Sequence, residues 1–132
     1  MRLASEARTR MEEIVCEMGT LAQTSREIRG VNFHYLRLHR RPKQQSAACI
    51  LRWRNPRHDH VRWEQVARDL KQLPLGLREM YVDMDIRAQE LNALHMLYHN
   101  EHATLSRLAQ VYGRRRNEPG IGKTGPVGNV SP

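Results

Sequence analysis

An apolar stripe through residues 75–112 restricts the possible folds of this chain more than any other feature. Leu77, Met84, Leu91, Tyr98, Leu105 and Tyr112 recur every seven residues. Met80, Leu94 and Leu108 fall three residues later, and Arg87 and Glu101 interrupt that second column. A sustained seven-residue repeat of this kind is the signature of a helix that lays one seam against a partner. At 1.5 Å per residue the helix reaches roughly 57 Å. That is longer than a compact globule of 132 residues, so the helix needs a long partner. Residues 3–28 supply one. Ala4, Met11, Met18 and Ser25 repeat every seven, and Ala7, Ile14, Leu21 and Ile28 interleave. Gly19 weakens this helix by roughly 1 kcal/mol relative to alanine, and Gly30 is placed to end it. The expected arrangement is an antiparallel helical pair. A second copy of the chain is another partner that such helices admit, giving a homodimer.

The segment between the two helices changes period. Residues 31–40, Val-Asn-Phe-His-Tyr-Leu-Arg-Leu-His-Arg, are rich in β-formers, and residues 47–54 form a second short run. The polar stretch Arg41-Pro42-Lys43-Gln44-Gln45-Ser46 separates them, so residues 31–54 read as a β-hairpin with a longer loop. Asn55-Pro56 breaks the second strand. Asp59 is a candidate N-cap for a helix from about His60 to Leu73, with Trp63, Val66, Ala67 and Leu70 facing the core. Residues 113–132 hold five Gly and three Pro and read as a flexible basic tail. The expected fold class is α+β and mainly α: two long terminal helices packed together, an inserted basic hairpin, a short helix and the tail. Residues 1–112 form its single domain.

Charge is unevenly placed along this plan. The chain carries a net charge of +8, unlike a typical acidic cytosolic enzyme, and this points to a polyanionic partner. Residues 1–28 contribute −1, residues 58–113 contribute −2 and residues 114–132 contribute +3. Residues 29–57 contribute +8 and contain no acidic residue. The excess is therefore concentrated in the hairpin. A symmetric loop pairs Leu38 with Cys49 and Leu36 with Leu51. Alternation then puts His34, Leu36, Leu38, Cys49, Leu51 and Trp53 on a core face. Phe33, Tyr35, Arg37, His39, Ile50, Arg52 and Arg54 take the other, with Arg40, Arg41 and Lys43 at the tip.

Guanidinium forks bind phosphates and aromatic rings stack on bases, and a basic two-stranded ribbon fits the major groove. The leading expectation is non-enzymatic nucleic-acid binding, with DNA favoured over RNA. Arg37, Arg40, Arg41, Lys43, Arg52, Arg54 and Arg57 are the expected phosphate contacts, and Tyr35 and Phe33 the stacking candidates. The alternative is a protein-interaction module, an adaptor or inhibitor whose heptad helices and basic ribbon dock on an acidic protein.

Other patterns carry less. His95, His99 and His102 share one side of the long helix, but His95 and His102 fall in the column of Tyr81, Ala88 and Ala109, as packing histidines do. His58 and His60 flank Asp59 in what reads as a capping turn. Gly120-Ile121-Gly122-Lys123-Thr124-Gly125 lacks the first glycine of a phosphate-binding loop, where Asn117 stands, and has no preceding strand. Cys16 and Cys49 read as buried apolar residues with reduced thiols. No nucleophilic triad, carboxylate pair or cofactor fingerprint stands out, and neither a metal nor a cofactor is expected. No run approaches the ~18 apolar residues of a membrane span. The charged start Met1-Arg2-Leu3-Ala4-Ser5-Glu6 does not suggest a secretion signal, so a cytoplasmic location is expected.

The stretch Ile50-Leu51-Arg52-Trp53-Arg54-Asn55, then Trp63-Glu64 and a long Leu/His-rich helix, resembles a small family encoded on bacterial integrating conjugative elements. Some of its members are labelled integrase regulator R. The similarity covers roughly residues 48–110. It implies an accessory protein of a mobile element in a bacterial cytoplasm and favours a DNA-linked role. It assigns no catalytic residue.

Overall fold

The structure is a computed structural model that describes residues 2–29, 32–40 and 49–117. Helix α1 spans Arg2–Arg29, strand β1 Tyr35–His39, strand β2 Ile50–Arg54, helix α2 Trp63–Leu70 and helix α3 Leu75–Arg116. The protein is mainly helical, as expected, and the two long helices pack together. Gly30, Arg41, Lys43 and the rest of the hairpin tip lie outside the described residues, as do residues 118–132.

The pairing of α1 with α3 is antiparallel. The Arg10 guanidinium donates to Glu101 Oε1 at 3.0 Å and lies 5.2 Å from the centre of the Tyr98 ring. Further along α1, Glu17 accepts from Arg87 Nε at 2.7 Å. These contacts run in opposite directions along the two helices. Both pairs are largely exposed and contribute little to stability. Apolar packing holds the helices instead. Met18 and Ala22 of α1 meet Tyr81, Met84, Ala88 and Leu91 of α3 in one core with Leu36, Leu51, Trp53, Val66 and Leu70.

The end of α3, the start of α2 and one column of α3 differ from the sequence reading. The second buried column of α3 is Tyr81, Ala88 and His95, four residues beyond the first column. Met80 and Leu108 are exposed. The three-residue offset would have buried Arg87, whose charge instead lies at the helix edge beside Glu17 and Glu90. Helix α3 continues through Arg114, Arg115 and Arg116, so these arginines belong to the last helical turn and not to the tail. They suit the negative end of the helix dipole. Helix α2 starts at Trp63, and its N-cap Arg62 makes no side-chain cap.

Asp59 does not cap α2. It belongs to a turn built by Asn55, whose Oδ1 accepts from the backbone N–H of Arg57 at 2.9 Å and of Asp59 at 3.0 Å. His58 has φ 69° there, a left-handed conformation that histidine enters more readily than most residues. The chain then folds back on β2. Val61 N–H donates to the Trp53 carbonyl, and Arg54 and His60 form a bridge. Residues 60–61 therefore occupy what would have been helix.

The hairpin register pairs Leu36 with Trp53 and Leu38 with Leu51, two residues from the symmetric expectation. A slip of two keeps each side chain on its own face. Leu36, Leu51 and Trp53 are accordingly buried, and His34 with them.

A two-stranded ribbon leaves backbone groups unpaired along both edges. Here the helices satisfy them with side chains. Ser25, fully buried in α1, accepts from Leu36 N–H at 2.8 Å and donates to the Ala22 carbonyl at 2.7 Å. Asn92 of α3 accepts from Leu51 N–H at 2.8 Å and donates to the Leu51 carbonyl at 3.1 Å. Its amide thus acts as a one-residue third strand. Cys49 N–H donates to His95 Nδ1 at 3.2 Å, which places the proton of a neutral His95 on Nε2. Trp53 Nε1–H donates to Asp85 Oδ1 at 2.8 Å.

Replacing Ser25 with alanine leaves the buried Leu36 N–H without its acceptor. The expected cost is about 1–3 kcal/mol, read as a lower urea midpoint with unchanged helical circular dichroism.

Candidate nucleic-acid interface

Strand alternation turns Arg37, His39, Ile50, Arg52 and Arg54 away from the core. Register sets Arg37 directly opposite Arg52. Like charges in that position repel and are destabilising without an intervening anion. The bridge with His60 extends this surface by one short segment. The His39 and His60 rings meet edge to face with centroids 5.9 Å apart.

His60 registers the local field. Its pKa is held below the ordinary histidine range by desolvation first, then by the positive charges of Arg54, Arg52, His39 and Arg37. These groups therefore form one cluster. Among the described residues the ion pairs are Arg2 with Glu6, Arg10 with Glu101, His34 with Asp69, and Arg87 with Glu17 and Glu90. None includes an arginine of the ribbon.

Not every expected contact is free to meet a phosphate within this cluster. Arg54 is half-buried, and its fork is committed to the neighbouring turn. Nη1 donates to the His58 carbonyl at 2.7 Å, and Nη2 lies 3.4 Å from His60 Nε2. It positions the turn and adds charge from beneath. Arg57 is exposed but lines a separate cavity of about 630 Å³ with Phe33, His34, Gln65 and Asp69. Arg40 is exposed at the other end of the ribbon, in a groove with Arg8, His95 and His99.

The stacking expectation is corrected for Tyr35. Tyr35 is on the outward side by alternation, yet only 3% of it is exposed. The turn at residues 55–59 folds over it, and its hydroxyl meets His58 Nδ1 at 2.5 Å. Phe33 packs against the core, edge-on to His34 and Tyr81. Tyr35 offers no open face, whereas Phe33 is half-buried and also lines the cavity beside Arg57. A further ring beside the arginines is Trp63, half-buried in a groove of about 600 Å³ with Arg52, His60 and Arg62. Glu64 also lines that groove. The sequence reading assigned Trp63 to the core of α2, which it also touches.

The buried polar residues have structural partners. His34 meets Asp69 through Nε2 at 2.7 Å. That bond, with a second from Gln65, holds the Asp69 carboxyl below its usual range. Burial first, then the charges of His99 and Arg40, lowers the His95 pKa. Cys16 is exposed rather than buried. Among the described residues no group of three or more His, Cys, Asp or Glu converges as a metal site would. No described helix is long and apolar enough to cross a membrane.

The chain matches no known family, and no curated protein or solved structure matches it either.

Proposed function

We propose that the protein is a non-enzymatic nucleic-acid-binding protein that contacts phosphates through the outer face of its β-ribbon. The observation that carries this reading is the cross-strand couple of Arg37 and Arg52, which has no ion-pair partner among the described residues, within a surface that has His39, Arg54 and His60 around it. Such a surface repels itself in the free protein and gains when an anion spans it. Arg40 extends the path toward the hairpin tip, where the sequence adds Arg41 and Lys43. Trp63, in the groove with Arg52, is a ring available to a base. The accessory role on a bacterial mobile element rests on the resemblance of residues 48–110 alone, and that resemblance also implies the cytoplasmic setting.

The test is a fluorescence titration of duplex and single-stranded DNA at low salt. Both should bind, and the substitutions Arg40→Glu, Arg41→Glu and Lys43→Glu together should weaken them. Unmeasurable affinity at low salt would rule the reading out. Capture of proteins from nuclease-treated lysate, with no DNA affinity, would favour docking on an acidic protein.

His60 adds a pH dependence. Because its pKa is lowered in the folded chain, protonation disfavours the fold. That part of stability is intact above about pH 6.5 and falls as the pH drops below it. A phosphate beside His60 reverses the effect by favouring the imidazolium. DNA affinity should therefore rise between about pH 7.5 and 5.5, and His60→Gln should flatten the rise.

A further inference from the structure

Helix α3 has three faces. Arg87, Tyr98 and Glu101 meet α1 on one side. Asp85, Asn92 and His95 meet the ribbon on another. The third faces outward and carries Leu75, Val82, Ile86, Met96, Leu97 and Leu108, all exposed. Ile86 is 53% and Leu97 59% exposed. On a helical wheel of 100° per residue, Ala93, Thr104 and Val111 fall on the same stripe. It lies opposite the buried seam of Met84, Ala88 and Leu91, and Arg78, Glu79, Glu90, Arg107, Arg114 and Arg115 stand on or beside it. From Leu75 to Leu108 it runs about 50 Å on a helix about 10 Å wide. Burying it against a like surface would remove on the order of 1,000 Å² in total, about the lower bound for a specific interface.

We infer that this face is covered by α3 of a second copy, packed antiparallel about a two-fold axis near residue 95. Two observations select that occupant. The first is charge. On this stripe residues 75–96 hold Arg78, Glu79 and Glu90, whereas residues 97–116 hold Arg107, Arg114 and Arg115 and no acidic residue. Antiparallel packing sets the acidic half on the basic half, while parallel packing sets like on like. The second is shape. About residue 95, Val82 meets the other copy's Leu108, Ile86 its Thr104 and Ala93 its Leu97. A large side chain faces a smaller one in each of these pairs, as interdigitating packing requires.

The two-fold axis is perpendicular to the plane of the two helices, so each flank of α3 lies beside the same flank of its mate. The flank carrying Asp85 and Asn92 holds the ribbon. Both ribbons thus come to one side of the dimer. The inference stands on α3 alone and does not depend on what the ribbons bind.

The test is the mass of the full chain in solution by light scattering across a concentration series. The expected mass is twice 15.5 kDa at micromolar concentration. Ile86→Glu with Leu97→Glu should return it to the monomer and raise the dissociation constant at least a hundredfold, with helical circular dichroism unchanged. Orientation is read by cross-linking with a short bismaleimide in a Cys16→Ser, Cys49→Ala background. Met96→Cys, beside the axis, should cross-link between copies. Leu75→Cys should not, because the two sites lie about 60 Å apart in the antiparallel pair. A monomer at every concentration overturns the inference, whether or not another helical protein binds the face. So does a dimer that survives the double substitution, and so does cross-linking of Leu75→Cys as efficient as that of Met96→Cys.

Discussion

Arg52→Glu is expected to make the protein more stable and a poorer ligand for DNA at the same time. In the free chain Arg52 faces Arg37 across the ribbon, and neither has a carboxylate partner among the described residues. A glutamate there replaces repulsion with attraction. Cross-strand pairs of this kind differ by about 0.2–1 kcal/mol, so the urea midpoint should rise modestly. Binding should move the other way. One phosphate contact is lost and a negative charge is placed in its path, which costs a hundredfold or so at low salt, about 2.8 kcal/mol. Adding Arg37→Glu should remove what remains. The opposed signs are the useful part. A residue that served only to hold the ribbon would lose stability and binding together when changed. A surface kept basic for solubility alone would show no effect on a ligand.

The second large effect is structural and falls on a residue the sequence reading passed over. Asn92→Leu should cost about 2–4 kcal/mol, because the Leu51 N–H and carbonyl both lose their partner and each is worth about 1–3 kcal/mol when stranded. Against a typical total of about 5–15 kcal/mol that is a large fraction. Leucine keeps the branched outline and fills no less space, so a cavity does not explain the result. Amide exchange should locate the damage. Protection should fall at residues 49–54 first, and the α1–α3 pair should persist to higher denaturant. Asn92→Asp keeps the acceptor for Leu51 N–H but loses the donor, and should fall between wild type and leucine.

These two residues show what the sequence could and could not convey. The heptad columns of α1 and the first column of α3 are visible as spacing, because a helix that buries one face must repeat apolar residues on it. The ribbon faces are visible for the same reason with a period of two, and a register slip of two left them intact. Charge is legible with no structure at all. What spacing hides is a polar residue whose partner lies on another element. Ser25 stands in an apolar column, and that was the one available signal that a backbone edge would arrive there. Asn92, Asp85 and His95 give no such signal until β2 is laid against α3. Tyr35 shows the opposite failure. Alternation turns it outward correctly, but the Asn55 turn then covers it, and a strand pattern says nothing about the loop that follows. The second column of α3 was open to correction from the sequence itself. Arg87 and Glu101 in the three-residue column were the objection, and the four-residue column has Tyr81, Ala88 and His95 instead.

The most direct test of the account is the salt dependence of duplex DNA affinity, compared between wild type and Arg37→Ala. Each phosphate contact adds about 0.9 to the slope of log affinity against log salt. Contacts from Arg37, Arg40, Arg52 and the tip predict a slope of about −3 to −5 for the wild type, and a slope shallower by about one for Arg37→Ala. A flat dependence, or the same slope in both proteins, would contradict the claim that the ribbon's outer face grips the phosphate backbone.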